Sequence, residues 1–265
     1  MNYKRHIRVT LTLLLVALLV QACNAGLPQP PNTQTLEPAP TQTARPQDGE
    51  QGLCSNPLYP VKTGATWTYN STGSLSGDFS FTDTITALRE DGFTLSSQIN
   101  GVTLTQEWVC KPEGLASLTF GGGAAGGIST SGAKMDLTTS NVQGMILPKT
   151  VNAGDQWPYS LDFEGDIELT GMTAETQGTA GFTFNALGEE SVTVPAGTFN
   201  ALKIHVDLRL DMEITYSGFT APAVITIPSD VWYAPGVGWV KAASSGDIFG
   251  TAFDEAIELQ SYNIP

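Results

Sequence analysis

The chain is poor in the side chains that carry most enzyme chemistry. Of its two histidines only His205 lies beyond the first 22 residues, and three cysteines occur in 265 residues. One histidine and a pair of cysteines cannot supply a zinc site, and no Gly-x-Ser-x-Gly motif marks a nucleophile. His205 shares the polar face of its strand with Lys203, Asp207 and Arg209, where a solvated charge ladder is the expected role. We therefore predict no catalytic residue, no metal site and no cofactor, so the protein is not expected to be an enzyme.

Basic residues are also scarce. Lys4, Arg5 and Arg8 account for three of the 12 lysines and arginines, which leaves nine against 26 acidic residues and a net charge of −17 beyond the first 22 residues. Such a surface repels phosphate backbones and anionic headgroups. We therefore expect no nucleic-acid partner, and attachment to a membrane would require a lipid rather than charge.

The only long apolar run, Val9–Val20, is too short to cross a bilayer. Twelve residues at about 1.5 Å each form about 18 Å of helix, against a hydrocarbon core of about 30 Å. Positive residues before this run are typical of an export signal. The segment Leu19-Val20-Gln21-Ala22-Cys23 resembles the lipobox of bacterial lipoproteins. An ordinary signal peptide with a chance cysteine is the alternative.

The resemblance implies a signal peptide over residues 1–22 and lipid on Cys23, which would be the first residue of the mature chain. The protein would then be anchored outside the cytoplasm, on the outer face of the cytoplasmic membrane or on the outer membrane. Residues 23–52 hold six prolines and only two large aliphatic side chains. Because such a segment buries little apolar surface, we predict a disordered tether that carries a domain over residues 53–265.

With Cys23 lipidated, Cys54 and Cys110 remain as an even pair in an exported chain. Exported proteins retain disulfides, so we predict a Cys54–Cys110 bridge. Two separately buried thiols are the alternative.

Apolar and polar residues alternate almost throughout the domain. In the longest run every second residue from Leu202 to Tyr216 is apolar and lies on one face, and the residues between them, mostly charged, lie on the other face. This period of two indicates strands with one solvated face, and no stretch of a dozen residues has a helical period. We predict an all-β fold, a strongly curved antiparallel sheet or partial barrel, because long strands accumulate twist.

An internal duplication is also present. Residues 64–69 and 154–159 both have the pattern Gly-x-x-Trp-x-Tyr, and each is followed by alternating strands. We predict two related meanders, with half-repeats over residues 53–148 and 149–265, in which both motifs begin equivalent strands.

Three short blocks carry a wider resemblance: Tyr59–Gly64 leading into Trp67, then Val194–Phe199, then Trp232–Lys241. They resemble a group of exported bacterial β proteins of unknown function. That group is similar in outline to the lipoprotein-carrier superfamily, and the similarity implies a curved antiparallel sheet around an apolar concavity.

Three functions are open from the sequence. The first, which we favour, is a monomeric, non-catalytic module that binds an apolar ligand or a protein partner on the apolar face of the strand over residues 202–216. The alternative for this apolar face is that it forms the core of the domain. The second is a surface carbohydrate-binding protein that uses Trp232 and Trp239, which flank a Pro-Gly turn and are candidates for exposure. The third is an enzyme of unfamiliar type. Four acidic residues on one face of one strand, Asp162 to Glu168, could also hold a cation weakly, although a solvated acidic face is the simpler interpretation.

Overall fold

The computed structural model describes residues 52–74, 77–120, 133–169, 172–248 and 251–265. Its secondary structure consists of thirteen strands: β1 Thr66–Thr72, β2 Phe79–Arg89, β3 Gly92–Ile99, β4 Val102–Lys111, β5 Gly114–Ser117, β6 Ala133–Gly144, β7 Leu147–Pro148, β8 Gln156–Leu169, β9 Met172–Val194, β10 Gly197–Tyr216, β11 Phe219–Ala234, β12 Gly238–Ile248 and β13 Thr251–Asn263. Within these residues no helix is long and apolar enough to cross a membrane.

The predicted signal peptide, Cys23 and the tether up to residue 51 lie outside the described residues, so these assignments remain predictions. Residues 121–132, between β5 and β6, also lie outside the described residues.

The strands form one antiparallel sheet in the order β6-β8-β9-β10-β11-β12-β13-β1-β2-β3-β4-β5-β7. Burial alternates along the strands as the sequence pattern requires; in β1, for example, Trp67, Tyr69 and Ser71 face inward. The predicted all-β fold and strongly curved sheet are confirmed.

The sheet curls until its two edge regions touch. Tyr159 in β8 donates a hydrogen bond of 2.6 Å from its hydroxyl to the carbonyl of Ser117 in β5. The Thr139 hydroxyl in β6 donates to the carbonyl of Leu118, and the rings of Phe120 and Phe163 stack at 5.2 Å. Side chains therefore connect the edges where the backbone ladder stops, and the result is a partial barrel.

One end of this partial barrel is filled by the residues that precede β1. Tyr59 stacks on Trp67 at 5.3 Å and also contacts Phe93 and Trp108. We call this the filled end; the opposite end, which carries the β8–β9 and β10–β11 turns, is the open end. Aromatic side chains provide this filling.

The predicted disulfide is confirmed and lies at the filled end. Cys54 and Cys110 are bonded, with their Cα atoms 4.9 Å apart, and both side chains are buried. The bridge attaches the first described residues to β4. Asn56 adds a second connection, because its side-chain amide donates to the carbonyl of Pro148 at 3.1 Å.

The duplicated motifs begin strands through the same turn. The amide of Gly64 donates to the carbonyl of Ile85, whose own amide donates to the carbonyl of Ala65. In the second motif the amide of Gly154 donates to Ala186, and the amide of Ala186 donates to Asp155. The hydrogen-bond pattern is thus repeated 90 residues later, which supports two related meanders.

Strands β6 and β8 to β11 extend beyond β12 at the open end. Residues 219–228 of β11 pair with β10, whereas the described ladder between β11 and β12 begins at Ser229. Tyr216 and Phe219 form the hydrogen-bonded pair that closes the two-residue β10–β11 turn. Hydrogen-bonded and non-hydrogen-bonded pairs therefore alternate along the hairpin from this pair. By that alternation Pro222 and Pro228 lie on the side of β11 that faces away from β10, and neither has an N–H to offer there. At Pro228 β12 still runs alongside, since Gly246 approaches the Thr226 carbonyl, whereas Pro222 lies beyond the end of β12 on an uncovered edge.

Candidate functional site

The inner face of β10 changes character along its length. Leu202 and Ile204 are fully buried in the core, where Ile204 faces Ala186 of β9 and Val231 of β11. Farther toward the open end Met212 and Ile214 are only half-buried. The predicted apolar face is therefore core at the filled end and an accessible apolar surface at the open end.

Neighbouring strands widen this accessible surface. Across from Met212 lie Gly178 of β9 and Ala223 of β11, and both are small, so the Met212 side chain meets little bulk on either side. Ile225 on β11 is also half-buried. Several apolar side chains thus share one surface that no described element covers. We call this surface, formed by Met212, Ile214, Ala223 and Ile225, the open-end apolar face.

A carboxyl group lies inside the sheet, where the sequence analysis placed none. Asp83 of β2 is buried, and its Oδ1 accepts a hydrogen bond of 2.5 Å from the hydroxyl of Ser97. Burial raises the pKa of Asp83 to about 7 even though the Ser97 hydrogen bond lowers it. Burial and then the charge of Asp83 raise the pKa of Tyr59 and Tyr69 well above the ordinary value. This carboxyl is therefore protonated in mildly acidic conditions and costly to ionise.

A second carboxyl faces inward nearer the open end. Ser71 donates a hydrogen bond of 2.5 Å to Oε1 of Glu255, and burial raises the pKa of Glu255 although this hydrogen bond lowers it. Both inward carboxyls have a serine on the adjacent strand as hydrogen-bond partner. The interior is therefore mixed in polarity and not uniformly apolar.

Trp232, expected as a candidate for exposure, is 8% exposed. Its indole N–H donates to Oε1 of Glu190 at 2.5 Å, and Lys203 and Lys241 lie over the ring at 4.9 and 5.9 Å from its centroid. The long lysine side chains cover the indole on the outer face of the sheet. The expected exposure of Trp232 is wrong, and the carbohydrate-binding alternative has no open ring there.

Trp239 is half-buried and lies inside the sheet. Its ring stacks on Tyr69 with centroids 3.9 Å apart, and the Tyr69 hydroxyl donates to the Trp239 carbonyl at 2.9 Å. This stacking occupies one face of the indole, so Trp239 contributes to packing of the interior.

His205 lies in a charge ladder on the outer face, as predicted. Its Nδ1 is 2.8 Å from Oδ1 of Asp230, and its Nε2 is 3.5 Å from Asp207. Lys203 also pairs with Asp230 at 2.8 Å. Burial alone raises the pKa of Asp230, but Lys203 and His205 outweigh it and lower that pKa overall.

The acidic strand borders a groove. Asp162 accepts hydrogen bonds from Asn141 at 2.7 Å and Thr179 at 2.8 Å, and these hydrogen bonds lower its pKa. A groove of about 570 Å³ is lined by acidic residues of β8 and β10 and also by Phe163, Met212 and Ala223, so it includes part of the open-end apolar face. In the part of the chain that the structure describes, no three His, Cys, Asp or Glu residues are grouped closely enough to hold a metal ion.

The sequence contained a signal for Asp83 that was missed. Asp83 has the same strand parity as Phe81 and Ile85, which places it inward. Glu255 shares parity with Ile257 in the same way. An acidic residue between apolar residues of one face is the pattern that could have located both.

Part of the chain is similar to a known protein family. Residues 128–247 match a family described as DUF3108-like. No curated protein matches the chain. The match is to an uncharacterised β-rich family and not to lipoprotein carriers specifically.

Two solved structures are similar to the chain. A Bacteroides fragilis protein named as exported, with a YmcC-like fold, is 14% identical, with a TM-score of 0.47 over 78% of this chain and 98% of that one. A Parabacteroides distasonis protein named as a lipoprotein is 15% identical, with a TM-score of 0.44 over 79% and 99% of the respective chains.

Proposed function

We propose that this chain is an exported lipoprotein, held on a membrane by lipid on Cys23, whose β domain is a non-catalytic module that binds an apolar ligand or a protein partner. The observation that carries the binding role is the open-end apolar face. Exposed apolar surface that continues directly from a core is costly in water and is typical of a binding site.

The oxidised cysteine pair supports the extracytoplasmic address. A Cys54–Cys110 bridge persists in oxidising compartments and is rare in the cytosol. The side-chain inventory supports the non-catalytic role, because both ring nitrogens of His205 are engaged by carboxylates and the two inward carboxyls are hydrogen-bonded to serines.

The anchor is tested by Cys23→Ala. We expect the wild-type protein in the membrane fraction with a lipid-modified N-terminus by mass spectrometry, and the variant either released or retained with its signal uncleaved. Cys110→Ala is the matched control, because it removes a cysteine outside the lipobox and should leave the protein on the membrane. An unmodified mature N-terminus in the wild type would disprove the lipoprotein assignment.

Binding is tested with two adjacent substitutions on opposite faces of β11. Ile225 faces inward opposite Leu210, whereas Val224 faces outward opposite Asp211. A buried charge disfavours an apolar ligand, so Ile225→Asp should weaken binding of the neutral apolar dye N-phenyl-1-naphthylamine roughly tenfold or more, and Val224→Asp should not. Fluorescence titration of the detergent-solubilised chain, after subtraction of the dye signal from protein-free micelles, measures both. Equal binding by the two variants would show that the open-end apolar face is not the site.

A further inference from the structure

The β10–β11 hairpin ends in two exposed aromatic side chains. Phe219 is 82% exposed and Tyr216 is 48% exposed, and the two residues are paired across the strands. The turn between them has φ of 50° at Ser217 and 81° at Gly218, the left-handed pair of a two-residue type I′ turn. A tight turn of this kind holds both rings in place at the end of a long hairpin, which we call the aromatic tip.

The aromatic tip is also free of charge in a strongly acidic chain. No charged residue lies between Glu213 and Asp230, and the Thr215 and Thr220 hydroxyls satisfy each other at 2.8 Å. On the adjacent hairpin Met172 is 50% exposed. Glu175 of β9 is paired with Thr215, so the aromatic tip is a neutral, apolar end with an acidic residue beside its base.

We propose that the aromatic tip inserts into the interfacial region of a lipid bilayer. Aromatic rings partition to the headgroup boundary, where a neutral apolar surface gains and an acidic one is repelled. A second copy of the chain is a poorer occupant, because Pro222 removes a donor from the adjoining strand edge. This inference rests on the proposed membrane anchor for its setting, although the two can be tested separately.

The length of the anchor segment is compatible with insertion into the same membrane. The thirty residues from Cys23 to Gly52 can span at most about 100 Å when fully extended. Strand β10 runs from the filled end to the open end, and its 20 residues span about 66 Å. Because the fully extended tether is longer than this strand, the open end can reach the bilayer that holds the lipid.

The experiment places a fluorescent reporter on the aromatic tip of the full-length chain. Phe219→Cys is labelled with the environment-sensitive dye NBD; Cys54 and Cys110 are bonded to each other and Cys23 carries lipid. On phosphatidylcholine vesicles we expect emission to rise about twofold and shift to shorter wavelength as the dye leaves water. Spin-labelled phosphatidylcholine should quench it. Leu187→Cys, labelled in the same way, is the control, because Leu187 is 51% exposed and lies in β9 near the filled end; its emission should not change.

The outcomes are separable. Flotation and mass spectrometry show whether lipid anchors the chain. Labelling of Cys23 by the dye would show that the lipid is absent, whatever the dye at position 219 reports. Adding phosphatidylglycerol should reduce the response at position 219, because the acidic domain is repelled, and salt should restore it. A chain that floats with vesicles but shows no change at position 219 overturns the inference. So does a blue shift that depends on protein concentration without vesicles, which would indicate contact between copies.

Discussion

Asp83→Asn should stabilise the domain, and the gain should be larger at pH 8 than at pH 5. The pKa of Asp83 is about 7 in the fold against 3.8 ordinarily, so its contribution to stability is present below about pH 4 and is lost as the pH rises through 7. Asparagine is neutral and can still accept the Ser97 hydrogen bond. The gain at pH 8 over that at pH 5 should be about 3 kcal/mol.

Urea unfolding at the two pH values measures this difference. Glu164→Gln is the control, because Glu164 is an exposed carboxyl on β8 and its removal should shift both curves little. Glu255, whose pKa is also raised, will leave a smaller residual dependence of the same sign in Asp83→Asn. A variant less stable than wild type at pH 8 would show that the ionised carboxyl is favoured in the fold.

The double variant Cys54→Ala, Cys110→Ala should lose about 4 kcal/mol of stability, because the bond closes an interval of 56 residues. For a domain of this size the melting temperature should fall by roughly 10 °C. The loss should begin at the filled end, where the residues before β1 are held by the bridge and by the ring of Tyr59. Protease should cut those residues first.

A reducing agent provides the matched comparison. It should lower the melting temperature of the wild type toward that of the double variant and leave the double variant unchanged. If reduction leaves the wild type unaffected, packing of Tyr59 against Trp67 alone holds the segment, and the bridge contributes little.

Alternation of apolar and polar residues predicted the strands, because the face to which each side chain points depends only on its position along its own strand. Leu161 and Phe163 are buried while Glu164 is exposed, as their order along β8 requires. The contact of the two sheet edges could not be predicted, because the partner of Tyr159 is the carbonyl of Ser117, 42 residues away, and no local pattern encodes that pairing.

The failure at Trp232 has a different cause. Trp232 was expected to be exposed because it flanks a Pro-Gly turn, and strand parity places its ring on the outer face. Burial there depends on Lys203 of β10 and Lys241 of β12 lying across the ring, so it depends on strand order. Phe219 was missed because a residue beside a turn has no partner pattern from which exposure can be inferred.

Pro222 on the uncovered edge of β11 has a consequence under the proposed membrane anchor. Molecules tethered to one bilayer collide far more often than the same number in free solution, and their strands share a common orientation. A strand edge with every outward N–H available would pair repeatedly under such confinement and assemble into ribbons. Pro222 has no N–H and interrupts the outward donors between Thr220 and Val224. We therefore expect the anchored domain to expose this edge at high lateral density and remain a separate molecule.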